Sequence, residues 1–181
     1  MQRIERTQTL ALLIDVQERL TPHIHEHERV LARTKILLEG LNALDVPVMH
    51  NQQYKKGLGE TVQALLPLLK DAPTFEKRSF SVCDNEPSMA FIDEQQRPIC
   101  LLFGVETHVC VLQTALDLID HGYQPVLITD ACSSRNPSDH ETALARMISA
   151  GVRLASVESI LFELTRTSTD PVFKTISALV K

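Results

Sequence analysis

The chain has 181 residues, of which 44% are hydrophobic and 23% are charged, and its formal net charge is -5. This size and composition predict one globular domain over residues 1–181, and the interspersed acids and bases argue against a nucleic-acid partner. No apolar run approaches the roughly 20 residues that span a bilayer, so no membrane partner is predicted. The N-terminal segment lacks the apolar core of a signal peptide, so we expect a cytoplasmic protein. The cysteines form no CxxC pair, so no zinc ribbon is predicted.

Strand-like apolar runs alternate with helical patterns along the chain. In chain order the predicted elements are strand Thr9–Val16, helix Ile24–Leu44, strand Pro47–Asn51, a short helix Thr61–Leu69, strand Thr74–Arg78, helix Glu86–Asp93, strand Pro98–Phe103, helix Thr107–His121, strand Pro125–Asp130, helix Ser138–Ala150, strand Val152–Val157 and helices Ser159–Leu164 and Pro171–Val180. Ser138 and Glu141 have the spacing of a capping box. Strands rich in Val, Leu and Ile without polar alternation are buried on both faces. The predicted fold class is therefore α/β: a three-layer, Rossmann-like α/β/α domain with a six-stranded parallel sheet.

Polar residues stand just past several of these strands. Asp15 comes at the end of the first strand and Asn51 at the end of the second. Lys77 ends the third, and Cys110 follows the fourth. In open parallel sheets, functional groups collect at the carboxyl ends of the strands, beside the point where the strand order reverses. We therefore expect these side chains to converge on one pocket.

Cys110 is the candidate nucleophile, because it lies near the first turn of a helix that directly follows a strand. The helix dipole and the free backbone N–H groups there would stabilise a thiolate and face an oxyanion. Asp15 would accept the thiol proton and later return it, and Lys77 would hold both groups by charge and lower the proton affinity of the thiol. The alternative is structural: a buried apolar cysteine, an aspartate that caps a turn, and a lysine in a solvated charge cluster.

The other cysteines have no predicted chemistry. Cys100 lies inside a strand, whereas Cys83 in a polar loop and Cys132 after the strand that ends at Asp130 are expected to be surface thiols.

Three motifs carry a resemblance to a known family: Leu-Leu-Ile-Asp15-Val-Gln17, Glu76-Lys77-Arg78-Ser79-Phe80 and Gly104-Val-Glu-Thr-His-Val-Cys110-Val. Through them, nearly the whole chain resembles the isochorismatase-like cysteine hydrolase superfamily, which includes nicotinamidases, carbamoylsarcosine amidases and isochorismatases. Two further segments make it most similar to the isochorismatase domain-containing proteins: Asn51-Gln-Gln-Tyr54-Lys-Lys-Gly-Leu-Gly59 and Asp130-Ala-Cys-Ser-Ser-Arg135.

The resemblance implies roles for particular residues. The catalytic triad of the family falls on Asp15, Lys77 and Cys110. The family has a cis, non-proline peptide bond shortly before the nucleophile, here Val105–Glu106. That bond would turn the N–H of Glu106 towards the same oxyanion as the N–H of Cys110, so these two residues are the implied oxyanion hole.

The chain departs from the metal-binding members of the family. Their nicotinamidases hold a metal through Asp-x-His after the second strand, with a further His nearby, whereas His50 stands alone here. His23, His25 and His27 alternate near a helix start, where residues two apart point to different sides. We therefore expect no metal and no cofactor. Since no metal would anchor a pyridine ring, nicotinamide is not the expected substrate.

Retention of Cys110 favours carbonyl chemistry, because isochorismatases cleave a vinyl ether without needing the thiol. The predicted activity is hydrolysis of a small amide or ureido-type C–N bond through an acyl-enzyme. In the substrate pocket, amides would orient a small molecule and aromatic rings would supply apolar walls. The candidate pocket residues are Gln17, Leu20, Asn51, Tyr54, Phe80, His108 and Val109.

Two alternatives stay open: a thiolate that reacts chiefly with oxidants, and a non-catalytic binding or scaffold protein that keeps the pocket as a relic. Either form is expected to be a homo-oligomer, a dimer or larger, as the family resemblance also implies. The expectation rests on apolar residues of the C-terminal helices that would need covering: Ile160, Leu161, Phe162, Leu164, Val172, Phe173 and Ile176.

Overall fold

The computed structural model describes residues 3–181. Within them the strands are β1 Thr9–Ile14, β2 Val48–Gln53, β3 Thr74–Lys77, β4 Ile99–Val105, β5 Gln124–Ser133 and β6 Arg153–Ala155. The α-helices are α1 His27–Ala43, α2 Lys55–Leu58, α3 Glu86–Gln95, α4 Leu112–Asp120, α5 Pro137–Ser149, α6 Val157–Thr165 and α7 Phe173–Leu179. Short 3-10 turns lie at Arg6–Gln8, Thr21–His23 and Gln63–Leu68, and a π-helical turn, Thr107–Val111, joins β4 to α4.

The strands form one sheet in the order β3-β2-β1-β4-β5-β6, and all neighbouring strands are parallel. Every residue of the central strands β1 and β4 is buried, which explains their uninterrupted apolar sequences. Helices α1, α6 and α7 pack together on one side, and α4 packs with α5. The predicted α/β class with six parallel strands is confirmed.

Several element boundaries differ from the prediction. The first long helix begins at His27 rather than Ile24, because a 3-10 turn and the left-handed backbone of Glu26, with φ of 51°, interrupt it. The short helix Lys55–Leu58 was not predicted. Strand β5 runs on to Ser133.

The longer β5 corrects the expectation for Cys132, which is a fully buried strand residue and not a surface thiol. The capping box predicted at Ser138 is also wrong. Helix α5 begins at Pro137, because proline is favoured at the first helical position, and this makes Asn136 the N-cap residue. A capping box is present instead at Ser156, at the start of α6.

The C-terminal helices cover the sheet and leave little apolar surface. Ile160, Leu161, Leu164 and Ile176 are buried within this chain, where α6 and α7 pack on α1. These residues therefore need no partner subunit to cover them, and the reason given above for an oligomer is wrong. Among residues 3–181, no helix combines the length and the apolar character that crossing a membrane requires.

Candidate active site

The strand order reverses between β1 and β4, because the chain runs from β1 to β2 and β3 and then returns to place β4 on the other side of β1. Loops that diverge at such a point open a crevice at the carboxyl ends of the strands. Asp15 directly follows β1, and Lys77 is the last residue of β3. Cys110 lies in the turn after β4. The three residues predicted as a group thus reach the same edge of the sheet.

Asp15 and Lys77 form a buried ion pair. Lys77 Nζ donates a hydrogen bond to Asp15 Oδ2 at 2.7 Å, and both side chains are fully buried. The backbone of Asp15 is left-handed, with φ of 53°, a conformation that is uncommon outside glycine and that concentrates at functional sites. Neither residue is therefore the exposed turn cap or the solvated charge of the structural alternative.

The ammonium group of Lys77 is fully engaged. Besides Asp15, Nζ donates to Gln53 Oε1 at 2.8 Å and to the carbonyl oxygen of Phe80 at 2.9 Å, with the carbonyl of Ser79 at 3.4 Å. An ammonium group has three protons, and the three shortest contacts account for all of them. Lys77 is thus a fixed cation. Gln53 was not among the predicted site residues, although it lies in the motif Asn51–Gly59.

Cys110 is only 6% exposed. The segment Thr107–Val111 is π-helical, and the α-helix begins after it, at Leu112. Cys110 thus lies near the first turn of the helical segment that follows β4, as predicted, and this turn is π-helical. The Cys110 thiol lies close enough to Asp15 and Lys77 for both charges to act on its pKa.

The electrostatics of the site leave the proton on sulfur. Burial and the Asp15 carboxylate raise the pKa of the Cys110 thiol to about 12, and Lys77 only partly opposes them. Lys77 lowers this pKa, as predicted, but burial and Asp15 outweigh it, so the net shift is upward and not downward as expected. Burial also raises the pKa of Asp15, against the opposing effect of Lys77. Within residues 3–181, Asp15 Oδ1 accepts no N–H or O–H hydrogen bond, so it is the oxygen open to the thiol proton.

This arrangement predicts how alkylation of Cys110 depends on pH. Because a thiol with a pKa of about 12 stays protonated, its alkylation by iodoacetamide should rise about tenfold per pH unit between about pH 6 and 9. Peptide-resolved mass spectrometry of the native protein gives the rate. The half-buried Cys83, whose pKa burial also raises to about 12, is the internal reference. A plateau for Cys110 below about pH 8 would show a stabilised thiolate and contradict this prediction.

Glu106 connects the end of β4 to the turn that carries the cysteine. Its peptide bond with Val105 is cis. Its carbonyl oxygen accepts hydrogen bonds from the N–H groups of Val109 and Val111 at 3.1 and 3.2 Å. Its buried carboxylate accepts two from Arg135, from the backbone N–H at 2.9 Å and from Nε at 3.1 Å. Sequence analysis quoted Arg135 in a family motif but gave it no role.

Gln17 and Leu20 have structural contacts. Gln17 Nε2 donates to the carbonyl oxygens of Gln53 and Gly59 at 3.0 and 2.7 Å, and its Oε1 accepts from the Gln53 N–H at 2.7 Å. The amide ties two loops together and is not available to orient a substrate, which corrects the expectation. Leu20 packs against a small apolar cluster that includes Val105.

Three other predicted pocket residues are wholly or partly buried. Asn51 Nδ2 donates to Ser88 Oγ at 2.9 Å, whereas Asn51 Oδ1 is buried with no partner among residues 3–181. His108 Nδ1 lies 2.9 Å from Ser134 Oγ. Val109 is half-buried against the main core. Asn51 is therefore a buried residue of β2 whose amide is tied to α3.

The two aromatic residues lie on the surface beside the ion pair. Tyr54 and Phe80 are 39% and 52% exposed. The guanidinium of Arg78 covers the Tyr54 ring at 4.1 Å, and the Phe80 carbonyl accepts a hydrogen bond from Lys77. Both residues thus meet Lys77 through their backbones, since the Tyr54 N–H also donates to the Lys77 carbonyl oxygen at 3.0 Å.

His50 is occupied by neighbouring hydroxyl groups. Its Nδ1 lies 3.2 Å from Thr61 Oγ1 and its Nε2 lies 2.6 Å from Thr74 Oγ1, and burial lowers its pKa. Both ring nitrogens are thus used inside the protein. His23 and His25 are exposed, and within the described residues no group of three or more His, Cys, Asp or Glu side chains is arranged to hold a metal ion.

The fold and the site together define a class: a parallel α/β protein with an acid, a lysine and a cysteine gathered at its topological switch point. A family model described as the isochorismatase domain matches residues 9–159. The chain belongs to the isochorismatase family, whose members are hydrolases. Several curated relatives are isochorismatase domain-containing proteins, which confirms the resemblance seen in the motifs.

Individual relatives extend over most of the chain. Isochorismatase family protein 1B of Dictyostelium discoideum is 37% identical over 180 residues, which cover 96% of this chain and 87% of that protein. The solved structure of MAR1 ribonuclease from Caenorhabditis elegans is 32% identical with a TM-score of 0.94, over 99% of this chain and 92% of the other. The YcaC gene product of Escherichia coli, an octameric hydrolase of unknown specificity, shares the fold at 23% identity, with a TM-score of 0.94 over 99% of this chain and 89% of that one.

Proposed function

We propose that this protein hydrolyses a small amide or ureido-type C–N bond through a covalent acyl-enzyme on Cys110. The observation that carries the proposal is the fully buried Asp15–Lys77 pair, joined at 2.7 Å and close enough to the Cys110 thiol to act on its pKa. Taking two charges out of water is expensive, and such pairs are weak sources of stability. Chemistry at the sulfur is a better reason for the pair than stability is.

In the first half of the proposed reaction, Cys110 Sγ attacks the substrate carbonyl carbon while its proton passes to Asp15. The backbone N–H groups of Glu106 and Cys110 hold the oxyanion that forms. Asp15 then gives the proton to the leaving nitrogen, the C–N bond breaks and a thioester remains. In the second half, water attacks the thioester carbon and Asp15 takes a proton from it. The C–S bond breaks, the acid leaves, and the proton returns to sulfur.

Lys77 has an electrostatic role in this scheme. Its three protons are held by Asp15, Gln53 and the Phe80 carbonyl, so it orients the carboxylate and keeps it ionised without giving up a proton. Burial raises the pKa of Asp15, and a carboxylate with a raised pKa is a stronger base towards the thiol. The steps use only groups of this chain, the substrate and water, so we propose a reaction without metal or cofactor.

Ribonuclease activity is a second candidate, because the similar structure from Caenorhabditis elegans is named a ribonuclease. Binding an RNA backbone requires exposed cations that neutralise phosphates. Lys77 is fully buried and already bound by three acceptors, and the chain carries a net charge of -5. These features favour a small amide over RNA.

A non-catalytic or redox-responsive protein is less well supported. A non-catalytic protein would gain little from the buried ion pair, in which Lys77 Nζ lies 2.7 Å from Asp15 Oδ2. Oxidants react with the thiolate form of cysteine. Because the pKa of the Cys110 thiol is raised to about 12, little thiolate is present near neutral pH, which argues against a redox-responsive role.

The proposal is tested with Cys110→Ala, with Cys83→Ala as the matched control because Cys83 is a half-buried thiol outside the site. Both variants and the parent protein are incubated with a panel of small amides and ureido compounds and, separately, with an unstructured RNA. We expect the parent and Cys83→Ala to release amine or ammonia from some compounds of the panel. The rate of this hydrolysis should be at least about 1,000-fold lower in Cys110→Ala. RNA cleavage that persists in Cys110→Ala, with no amide turnover in the parent, would overturn the proposal.

We further propose that the 1–181 domain acts as a cytoplasmic homo-oligomer on a small molecule. The octameric state of the Escherichia coli hydrolase with the same fold supports the oligomer.

A further inference from the structure

We propose that Thr114 is a positioning residue, whose hydroxyl group fixes the turn that carries Cys110 relative to the segment that holds Lys77. This inference rests on the proposed function, because it takes Cys110 as the attacking group. Thr114 would touch neither the substrate nor the reacting atoms, and would act only through its neighbours.

The hydroxyl group of Thr114 is used in two buried hydrogen bonds. Thr114 lies in α4, four residues after Cys110, and none of its surface is exposed. Its Oγ1 donates to the carbonyl oxygen of Cys110 at 2.7 Å and accepts from the N–H of Val82 at 3.0 Å. A hydroxyl group has one proton to donate and lone pairs to accept, so it can make both bonds at once. Thr114 thus connects the backbone of the nucleophile to a segment 32 positions away.

Val82 belongs to the segment that binds the ammonium group of Lys77. It comes two residues after Phe80, whose carbonyl oxygen accepts a hydrogen bond from Lys77 Nζ at 2.9 Å. The carbonyl oxygen of Ser79 lies 3.4 Å from the same nitrogen. Two residues span at most about 7 Å of backbone, so a displacement of Val82 also displaces these oxygens. By holding Val82, Thr114 helps to fix the acceptors that orient Lys77.

This bridge has no substitute in the described part of the chain. Among residues 3–181, no other hydrogen bond joins residues 79–85 to residues 106–114. In the sheet, β2 and β1 lie between β3, which ends at Lys77, and β4, which precedes Cys110. The sheet therefore sets the separation of the two residues through two intervening strands, whereas Thr114 joins their loops directly.

Two other helical threonines show that the second bond is particular to Thr114. Thr142 and Thr165 also donate to the carbonyl oxygen four residues earlier, at 2.8 and 2.7 Å. Within residues 3–181, neither of these hydroxyl groups accepts an N–H group. Such a bond to the residue's own helix is local, and its loss disturbs no other segment. Loss of the Thr114 hydroxyl also leaves the buried N–H of Val82 without its acceptor.

The test is Thr114→Val, which keeps the shape of the side chain and removes the hydroxyl group. Thr165→Val is the matched control, because Thr165 is 1% exposed and its hydroxyl donates over the same 2.7 Å as that of Thr114. Thr114→Ser keeps the hydroxyl group. If Thr114→Val does not fold, Thr114→Ala leaves space for a water at the Val82 N–H and is compared with Thr165→Ala.

The first measurement is of kcat and KM for the amide of the panel above that the parent protein hydrolyses fastest. It is made at a temperature at which circular dichroism shows every variant to be folded. We expect kcat to fall about 10- to 100-fold in Thr114→Val, with KM within about threefold of the parent value, because only the alignment of the reacting groups changes. Thr114→Ser and Thr165→Val should keep kcat within about threefold of the parent value.

The second measurement is of hydrogen exchange at the Val82 amide, followed by NMR on the native protein. This exchange should become at least about tenfold faster in Thr114→Val and stay unchanged in Thr165→Val. Unchanged exchange in Thr114→Val would overturn the inference, since the hydroxyl group would then not hold this segment. Equal losses of kcat in Thr114→Ser and Thr114→Val would overturn it as well, because packing and not the hydroxyl group would be responsible.

The same experiments separate this inference from the proposed function. If Cys110→Ala is inactive while Thr114→Val keeps the parent kcat, the inference on Thr114 fails alone. If amide hydrolysis survives Cys110→Ala, the proposed function fails and the inference fails with it.

Discussion

Lys77→Met is expected to lower the free energy of unfolding by about 3–5 kcal/mol, the usual cost of breaking a buried ion pair from one side. The substitution leaves the Asp15 carboxylate in a fully buried site with no counter-ion. Asp15 then takes up a proton, since burial without a neighbouring cation favours the neutral acid. A protonated Asp15 cannot accept the thiol proton, so turnover should fall by roughly 100- to 10,000-fold.

Urea denaturation measures the stability change, and the matched control is Lys35→Met. Lys35 is exposed and faces Glu39 across 3.9 Å, so its replacement should change stability by no more than about 0.5 kcal/mol. The double variant Asp15→Asn with Lys77→Met should be more stable than the sum of the single changes predicts, because no uncompensated charge is left buried. A loss below about 1 kcal/mol in Lys77→Met would mean that the pair is not held as tightly as its 2.7 Å contact indicates.

Gly104→Ala is expected to destabilise the protein by at least about 3 kcal/mol or to prevent folding. Gly104 has φ of 118°, and a Cβ atom built there would lie 2.1 Å from the carbonyl oxygen of Ile14. The oxygen belongs to the backbone and the position of Cβ is fixed by the backbone, so neither atom can rotate away. The strands would have to separate, which would move Asp15 on one side and Glu106 on the other.

Gly122→Ala is the control for backbone conformation alone. Gly122 also has positive φ, at 85°, but a Cβ atom there would meet nothing within 4 Å. Gly122→Ala should therefore lower the free energy of unfolding by only about 1–2 kcal/mol. Thermal unfolding ranks the two variants, and iodoacetamide alkylation of Cys110 reports on the site. If Gly104→Ala proves as stable as Gly122→Ala, with Cys110 alkylated at the parent rate, the close approach of β1 and β4 does not shape the site.

The sheet and the position of the reactive group could be predicted because the signals are local. Each of the central strands is an uninterrupted apolar run, and Asp15 and Lys77 stand directly at strand ends. Parallel strands bring their carboxyl ends to one edge, so the convergence followed from topology. The parallel direction of the strands was sufficient for that step.

The remaining features depend on contacts between distant parts of the chain. Gln53 meets Lys77 across 24 positions and Arg135 meets Glu106 across 29, so neither partnership leaves a local pattern. The raised pKa of Cys110 comes from burial, which only the packed structure creates. The apolar residues of α6 and α7 looked exposed in the sequence because their packing against α1 joins opposite ends of the chain.

Isolation of the acyl-enzyme tests the central claim most directly. The native protein is mixed with a turned-over amide, quenched in acid within its first turnovers, digested and weighed by mass spectrometry. We predict that the peptide containing Cys110 gains the mass of the acyl group, and that Asp15→Asn accumulates less of this adduct. Steady amide hydrolysis with no adduct on Cys110, undiminished in Cys110→Ala, would contradict the account.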